Sequence, residues 1–118
     1  MGYVDGFLIP VPNGRKDEYR AHEEKWWPWF RDKGATGLVV SWGDDVPEGK
    51  QTDFRRAVAL AADETVVFAW MTWPDKATRD KAYAGMMADD MDMGDMPFDG
   101  KRMVYGGFIP ILSLGKTG

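Results

Sequence analysis

The 118 residues include no cysteine and a single histidine. The first absence removes disulfides, thiolate catalysis and cysteine-ligated metals. The second removes any His–His metal pair or Ser-His-Asp set within one chain. No apolar stretch approaches the ~20 residues that a membrane helix needs. No basic segment leads into an apolar core at the N-terminus, so a signal peptide is not expected. Gly6 stands where a myristoylation signal wants Ser or Thr. Positive charge is short as well. Lys and Arg number 15 against 19 Asp and Glu, a net charge of −4 with no basic run, which argues against affinity gained by neutralising phosphates. No phosphate-cradling glycine motif is present. The expectation is a cytoplasmic chain with no nucleic-acid partner, no membrane partner and no resident cofactor or metal.

What the chain does have is apolar and aromatic. Hydrophobic residues make up 44%, with six Trp, six Phe and four Tyr, a heavy aromatic load for a chain sized for one domain, residues 1–118. The organising stretch is Asp63–Trp73, D-E-T-V-V-F-A-W-M-T-W. Read as a strand, it points Val66, Phe68, Trp70 and Thr72 one way and Val67, Ala69, Met71 and Trp73 the other. Neither set is polar, so both faces call for cover, and helices on one side of a sheet supply only half of it.

The rest of the chain is read around that strand. Tyr3–Val11 is a first strand closed by Pro10 and Pro12, with Tyr3, Asp5, Phe7 and Ile9 sharing a face. Arg15–Lys33 is a helix whose buried stripe runs through Tyr19, His22, Trp26 and Trp29 or Phe30. Pro28 should kink it and Gly34 should cap it. Thr36–Trp42 is the second strand. Gly43–Ala59 is an excursion with a helical turn near Phe54–Ala59. Pro74 and Asp75 open a further helix with Ala77, Asp80 or Lys81, Ala84 and Met87 or Ala88 inward. Asp89–Gly100 is an acidic, methionine-rich loop, Arg102–Leu112 the last strand, and Leu114–Gly118 a frayed tail.

The order β-α-β-β-α-β predicts an α+β, ferredoxin-like fold: a four-stranded antiparallel sheet with two helices on one face. Its first and third strands are then central, and a second copy covers the open face in an isologous dimer. Three stretches, Y-V-D-G-F-L-I-P-V-P at Tyr3–Pro12, D-E-T-V-V-F-A-W at Asp63–Trp70 and M-P-F-D-G-K-R-M-V-Y-G-G-F at Met96–Phe108, resemble the YbaA-like family, a domain of unknown function. Gly49–Val58 resembles its central segment. The resemblance implies a dimeric α/β barrel, in which two ferredoxin-like sheets close around a shared interior. It brings no activity with it, since that superfamily spans monooxygenases, isomerases and stress proteins. Trp26-Trp27-Pro28-Trp29 departs from the family's usual first helix.

Candidates for chemistry are few. His22, on the predicted stripe, is either a packed histidine or a general base or haem ligand. Asp5 shares a face with apolar neighbours, where a carboxylate is costly unless paired. It is either an acid facing the barrel interior, fit for proton transfer, or a structural partner of Lys101 or Arg102. Tyr3, Trp42, Trp70, Tyr105 and Arg102 are the candidate pocket residues for a planar ligand, with Trp73 alongside, against the plainer reading of aromatic core. Asp90, Asp92, Gly94 and Asp95 hint at a calcium loop, but Lys101 stands where the bidentate Glu belongs. Met86, Met87, Met91, Met93 and Met96 read as gap-fillers rather than copper ligands. Taken together the expectation is a homodimeric small-ligand-binding or structural protein. The alternative is a small cofactor-independent monooxygenase or isomerase acting on an apolar or aromatic substrate, with Asp5 or His22 as base.

Overall fold

Alternating apolar residues build the sheet first. In a computed structural model, which describes residues 2–88 and 96–115, four strands form one sheet: β1 (Tyr3–Pro12), β2 (Gly37–Trp42), β3 (Glu64–Trp73) and β4 (Val104–Phe108). Their order is β2-β3-β1-β4, with every neighbouring pair antiparallel. The two ten-residue strands, β1 and β3, lie inside and pair along their whole length, from Tyr3↔Trp73 to Pro12↔Glu64. Three helices join the strands: α1 (Lys16–Asp32), the four-residue α2 (Phe54–Ala57) and α3 (Lys76–Ala88).

One sheet face carries the core. Tyr3, Ile9 and Val11 of β1 and Val67, Ala69, Met71 and Trp73 of β3 are buried there. Trp27 and Phe30 of α1 and Ala82 and Tyr83 of α3 pack onto the same residues, so α1 and α3 cover this face together. Tyr19 meets Phe98 edge-on at 5.7 Å, tying the chain before β4 to α1. The opposite face of β3 is less covered: Trp70 and Thr72 are half-buried and Phe68 is 45% exposed. The molecule is correspondingly flat, 38 × 37 × 22 Å.

Local chemistry sets the boundaries. Asp53 caps α2 by accepting from the Arg56 amide at 2.7 Å, and Asp75 does the same for α3 through the Thr78 amide, also at 2.7 Å. Gly34 ends the first helical segment with a φ of +113°, a left-handed conformation that glycine adopts freely. α1 starts after a 3₁₀ turn at Asn13–Arg15 and runs through Pro28 as one helix. Pro10 lies within β1 as expected, and Pro12 is its last residue rather than the one beyond it. They fall past Leu8, where pairing with β4 has stopped and the strand has a neighbour on one side only.

Three expected features are corrected. Ala77, Asp80, Lys81, Ala84, Met87 and Ala88 of α3 are exposed, and its inner face is Thr78, Arg79, Ala82, Tyr83 and Met86. The α1 residues packed on the core are Tyr19, Trp27 and Phe30, and His22 and Trp26, half-buried like the last two, are not among them. The last strand is five residues, not eleven. Its final pair is Val4↔Phe108, and β1 itself begins at Tyr3, so the chain after Phe108 runs out of ladder to join, and Pro110 lacks the amide to continue it. Residues 89–95 of the expected loop, with its calcium-loop positions and Met91 and Met93, and the Lys116–Gly118 end of the expected tail lie outside the described residues.

Candidate functional site

Two places in the fold concentrate chemistry, one on each side of the sheet. On the helix-covered side, β1 parity turns Asp5 toward α3, where it is 2% exposed. Arg79 donates to it from Nε at 3.1 Å and Nη2 at 2.8 Å. Trp73 donates from Nε1 at 2.9 Å and Tyr83 from its hydroxyl at 2.6 Å. The Arg79 guanidinium also lies over the Tyr83 and Tyr3 rings, 4.6 and 5.3 Å from their centroids. Hydrogen bonding to Asp5 raises the Arg79 pKa further above its ordinary value. Burial, and then the bond to Asp5, holds the Tyr83 phenol well above 10.

The cation facing Asp5 is therefore Arg79, not Lys101 or Arg102. Arg102 is committed elsewhere: it donates to both oxygens of Glu64, at 2.8 and 2.6 Å, and to Asp99 at 2.9 Å. The Glu64 carboxyl is held below its usual range, chiefly by the Arg102 hydrogen bond. With a guanidinium, an indole and a phenol all donating to it, Asp5 has the surroundings of a structural ion pair and no open lone pair facing a cavity.

On the other side lies an open concavity of about 1250 Å³. Val39 of β2, Phe68, Trp70 and Thr72 of β3, Val4 and Gly6 of β1 and Phe108 of β4 surround it. Phe68 and Trp70 meet edge-on at 5.5 Å, and Phe54 of α2 approaches Phe68 at 6.0 Å. Gly6 pairs with Gly106 across the sheet, and the Phe108 ring lies over both, 3.4 and 3.6 Å from where their Cβ atoms would stand. Among the described residues of this lining there is no Asp, Glu, His, Lys or Arg.

Of the five candidate pocket residues, Tyr3 and Trp70 border this concavity and Trp42, Tyr105 and Arg102 do not. Trp42 packs with the core on the helix side, beneath Lys16 at 5.2 Å. Tyr105, 70% exposed, sits on the edge strand opposite Phe7. His22 is half-buried on α1 and is not among the concavity's lining residues. Burial first, and Lys25 second, push its pKa below 6.5 and favour the neutral ring. Among the described residues no group of three His, Cys, Asp or Glu side chains is placed to hold a metal, and no helix is long and apolar enough to cross a membrane.

Sequence reasoning missed Arg79, Tyr83, Phe68 and Phe108. The first two stand four residues apart on one helix, a spacing that puts both on the same face. A buried acid elsewhere was the signal that they should turn inward together.

A family model described as "Protein of unknown function (DUF1428)" matches residues 2–100. The uncharacterized protein YbaA of Escherichia coli (strain K12) is 50% identical over 115 residues, spanning 95% of this chain and 98% of that one. The protein of the same name from Shigella flexneri matches to the same degree. Among solved structures, the de novo designed protein Foldit4 aligns with a TM-score of 0.43 at 11% identity, over 92% of this chain and 94% of that one.

Proposed function

The chain belongs to the YbaA-like family of proteins of unknown function, and from that premise we propose that it acts as a homodimer whose facing sheets enclose a chamber for a small apolar ligand. The strand order β2-β3-β1-β4, with α1 and α3 on one side, supports a ferredoxin-like assignment. A second copy on the bare side closes the dimeric α/β barrel. The observation that carries the reading is the uncharged, aromatic-walled concavity on that bare side. A monomer seldom leaves so continuous an apolar surface in water.

The ligand chemistry follows from the walls. Phe68, Trp70 and Phe108 offer ring faces and edges, while Thr36, Thr72 and Ser113 add a few hydroxyls. That set suits a planar, uncharged, largely apolar molecule. Catalysis by a cofactor-independent oxygenase or isomerase would need an acid–base group at the wall. The described lining has none, because the Tyr3 ring, although its residue borders the concavity, is buried on the helix-covered side with its hydroxyl against Gly107. Binding, rather than turnover, is the function proposed, and the cytoplasm is the proposed compartment, where a cysteine-free chain has no disulfide to lose.

Light scattering on a sizing column tests the assembly, with a particle of twice 13.3 kDa expected. A thermal-shift and tryptophan-fluorescence screen with aromatic acids, quinones, flavin and haem tests the chamber. A Phe68→Asp variant should lose both dimer and ligand response. A monomer at micromolar concentration, or a dimer indifferent to Phe68→Asp, overturns the proposal.

A further inference from the structure

The concavity is rimmed by the chain's own last described segment. After β4 ends, Ile109, Pro110, Leu112 and Ser113 stand along its border. Yet the segment's own aliphatic side chains are not packed away: Ile109 is 73% exposed, Ile111 93%, Leu112 69% and Leu114 76%. Single exposed aliphatics are ordinary on protein surfaces. Four of them within six residues, beside an apolar hollow, form one patch with it.

The backbone of this segment is equally uncommitted. Among the described residues, no backbone hydrogen bond between loops or turns involves residues 109–115, and the segment belongs to no strand or helix. Such a stretch has two apolar surfaces to choose from, its own sheet or another copy's. It already borders its own concavity, and doing so leaves its aliphatic side chains in water. A two-fold partner brings a second, identical concavity against it, and an isologous interface gives each copy the same exchange. The match in charge is complete. Ile109–Gly115 carries no charged residue, and neither does the described lining that would receive it.

We propose that Ile109–Leu114 is an exchanged arm, which in the dimer lies over the partner's open sheet face beside Val39 and Phe68 and completes the partner's chamber. The inference rests on the dimer reading above. It adds that each chamber is built from two chains, with the aliphatic residues of one roofing the aromatic wall of the other. Strand addition and hydrophobic seating are both open to such a segment once it meets an apolar surface with a free edge, and β2 offers that edge because it pairs with β3 alone.

The absence of cysteine makes the test clean. Two differently tagged chains, one carrying Val39→Cys and the other Leu112→Cys, are mixed, allowed to exchange and oxidised mildly. A disulfide-linked heterodimer on a non-reducing gel is the expected result. In parallel, a chain ending at Phe108 and an Ile111→Asp/Leu112→Asp chain should dimerise at least 100-fold more weakly. The double variant changes only exposed side chains, and circular dichroism checks that each variant is folded. A full-length dimer whose truncated and Asp-substituted forms keep a Kd within threefold, with no linked heterodimer, overturns the arm and leaves the dimer standing. A full-length monomer overturns the dimer reading itself.

Discussion

Replacing Arg79 by methionine removes the only cation facing Asp5 among the described contacts while keeping most of the side-chain volume. In the native chain the Asp5 oxygens accept from Arg79 at 2.8 and 3.1 Å, from Trp73 at 2.9 Å and from Tyr83 at 2.6 Å. The variant keeps the two neutral donors and loses the counter-charge. Breaking one side of a buried pair costs about 3–5 kcal/mol. The Arg79 side chain is 19% exposed against 3% for Asp5, so water can enter the space it leaves, and the lower end, about 3 kcal/mol, is expected. With an unfolding entropy of ~2.1 cal/mol/K per residue, that corresponds to a Tm lower by roughly 12 °C for a chain of this length. Denaturant unfolding at fixed protein concentration measures the cost directly. The double variant Asp5→Leu/Arg79→Met orphans no charge, only an indole N–H and a phenol O–H, so it should be milder than the sum of the single changes. A coupling of about 1.5 kcal/mol or more is the expected signature. A cost below about 1 kcal/mol for Arg79→Met, or simple additivity, would refute the view that this pair fastens α3 to the sheet.

Gly107→Ala should destabilise the fold by about 1–3 kcal/mol, because the new Cβ would overlap the Tyr3 hydroxyl and stand 2.8 Å from its ring, and that buried ring has Arg79 stacked on it. Gly85→Ala in α3 meets nothing within 4 Å and should stabilise by roughly 0.5–1 kcal/mol; urea midpoints that move both variants the same way would contradict the packing. Glu64→Gln should lower the Tm at pH 7. Arg102 depresses the Glu64 pKa in the folded state, so this stability is full above the ordinary value of 4.5 and is lost as pH falls through the folded one. The gap between native and variant Tm should close on acidification below about 4.5, and a gap constant from pH 7 to pH 3 would show that the ion pair contributes nothing.

The strands were legible because period-two alternation is written into adjacent residues. Asp63–Trp73 announces a strand with two apolar faces, and β3 occupies Glu64–Trp73 inside the sheet. Asp5 was legible as a buried acid for the same reason. Its partner was not, because Arg79 is 74 positions away and no local pattern encodes that distance. The inner face of α3 failed on the same point. Small residues such as Ala77 and Ala84 satisfy helical periodicity, but the demand of Asp5 for donors rotates Arg79 and Tyr83 inward and leaves the alanines in solvent. The end of the last strand at Phe108 is not legible, because Val104–Leu112 is almost wholly apolar or glycine, and apolar content says nothing about where the neighbouring strand ends.

The placement of charge on the sheet separates holding the fold together from meeting another molecule. Asp5 with Arg79 and Glu64 with Arg102 join elements within the chain, the first of them on the helix-covered side. The described lining of the open side has no ionised group to desolvate, so a second apolar surface can seat there without the penalty that buried charge imposes. Glycine adds depth to the same side. Gly6 and Gly106 sit opposite one another beneath the Phe108 ring, and larger residues at this pair would lift the ring into the concavity. A surface without charge, deepened by paired glycines and walled by rings, offers a nucleic acid no cation for its phosphates. It offers an apolar ligand or a second apolar chain an unobstructed seat. On the proposed reading, that asymmetry between the two faces makes assembly at the open side, rather than the buried acid, the source of a site.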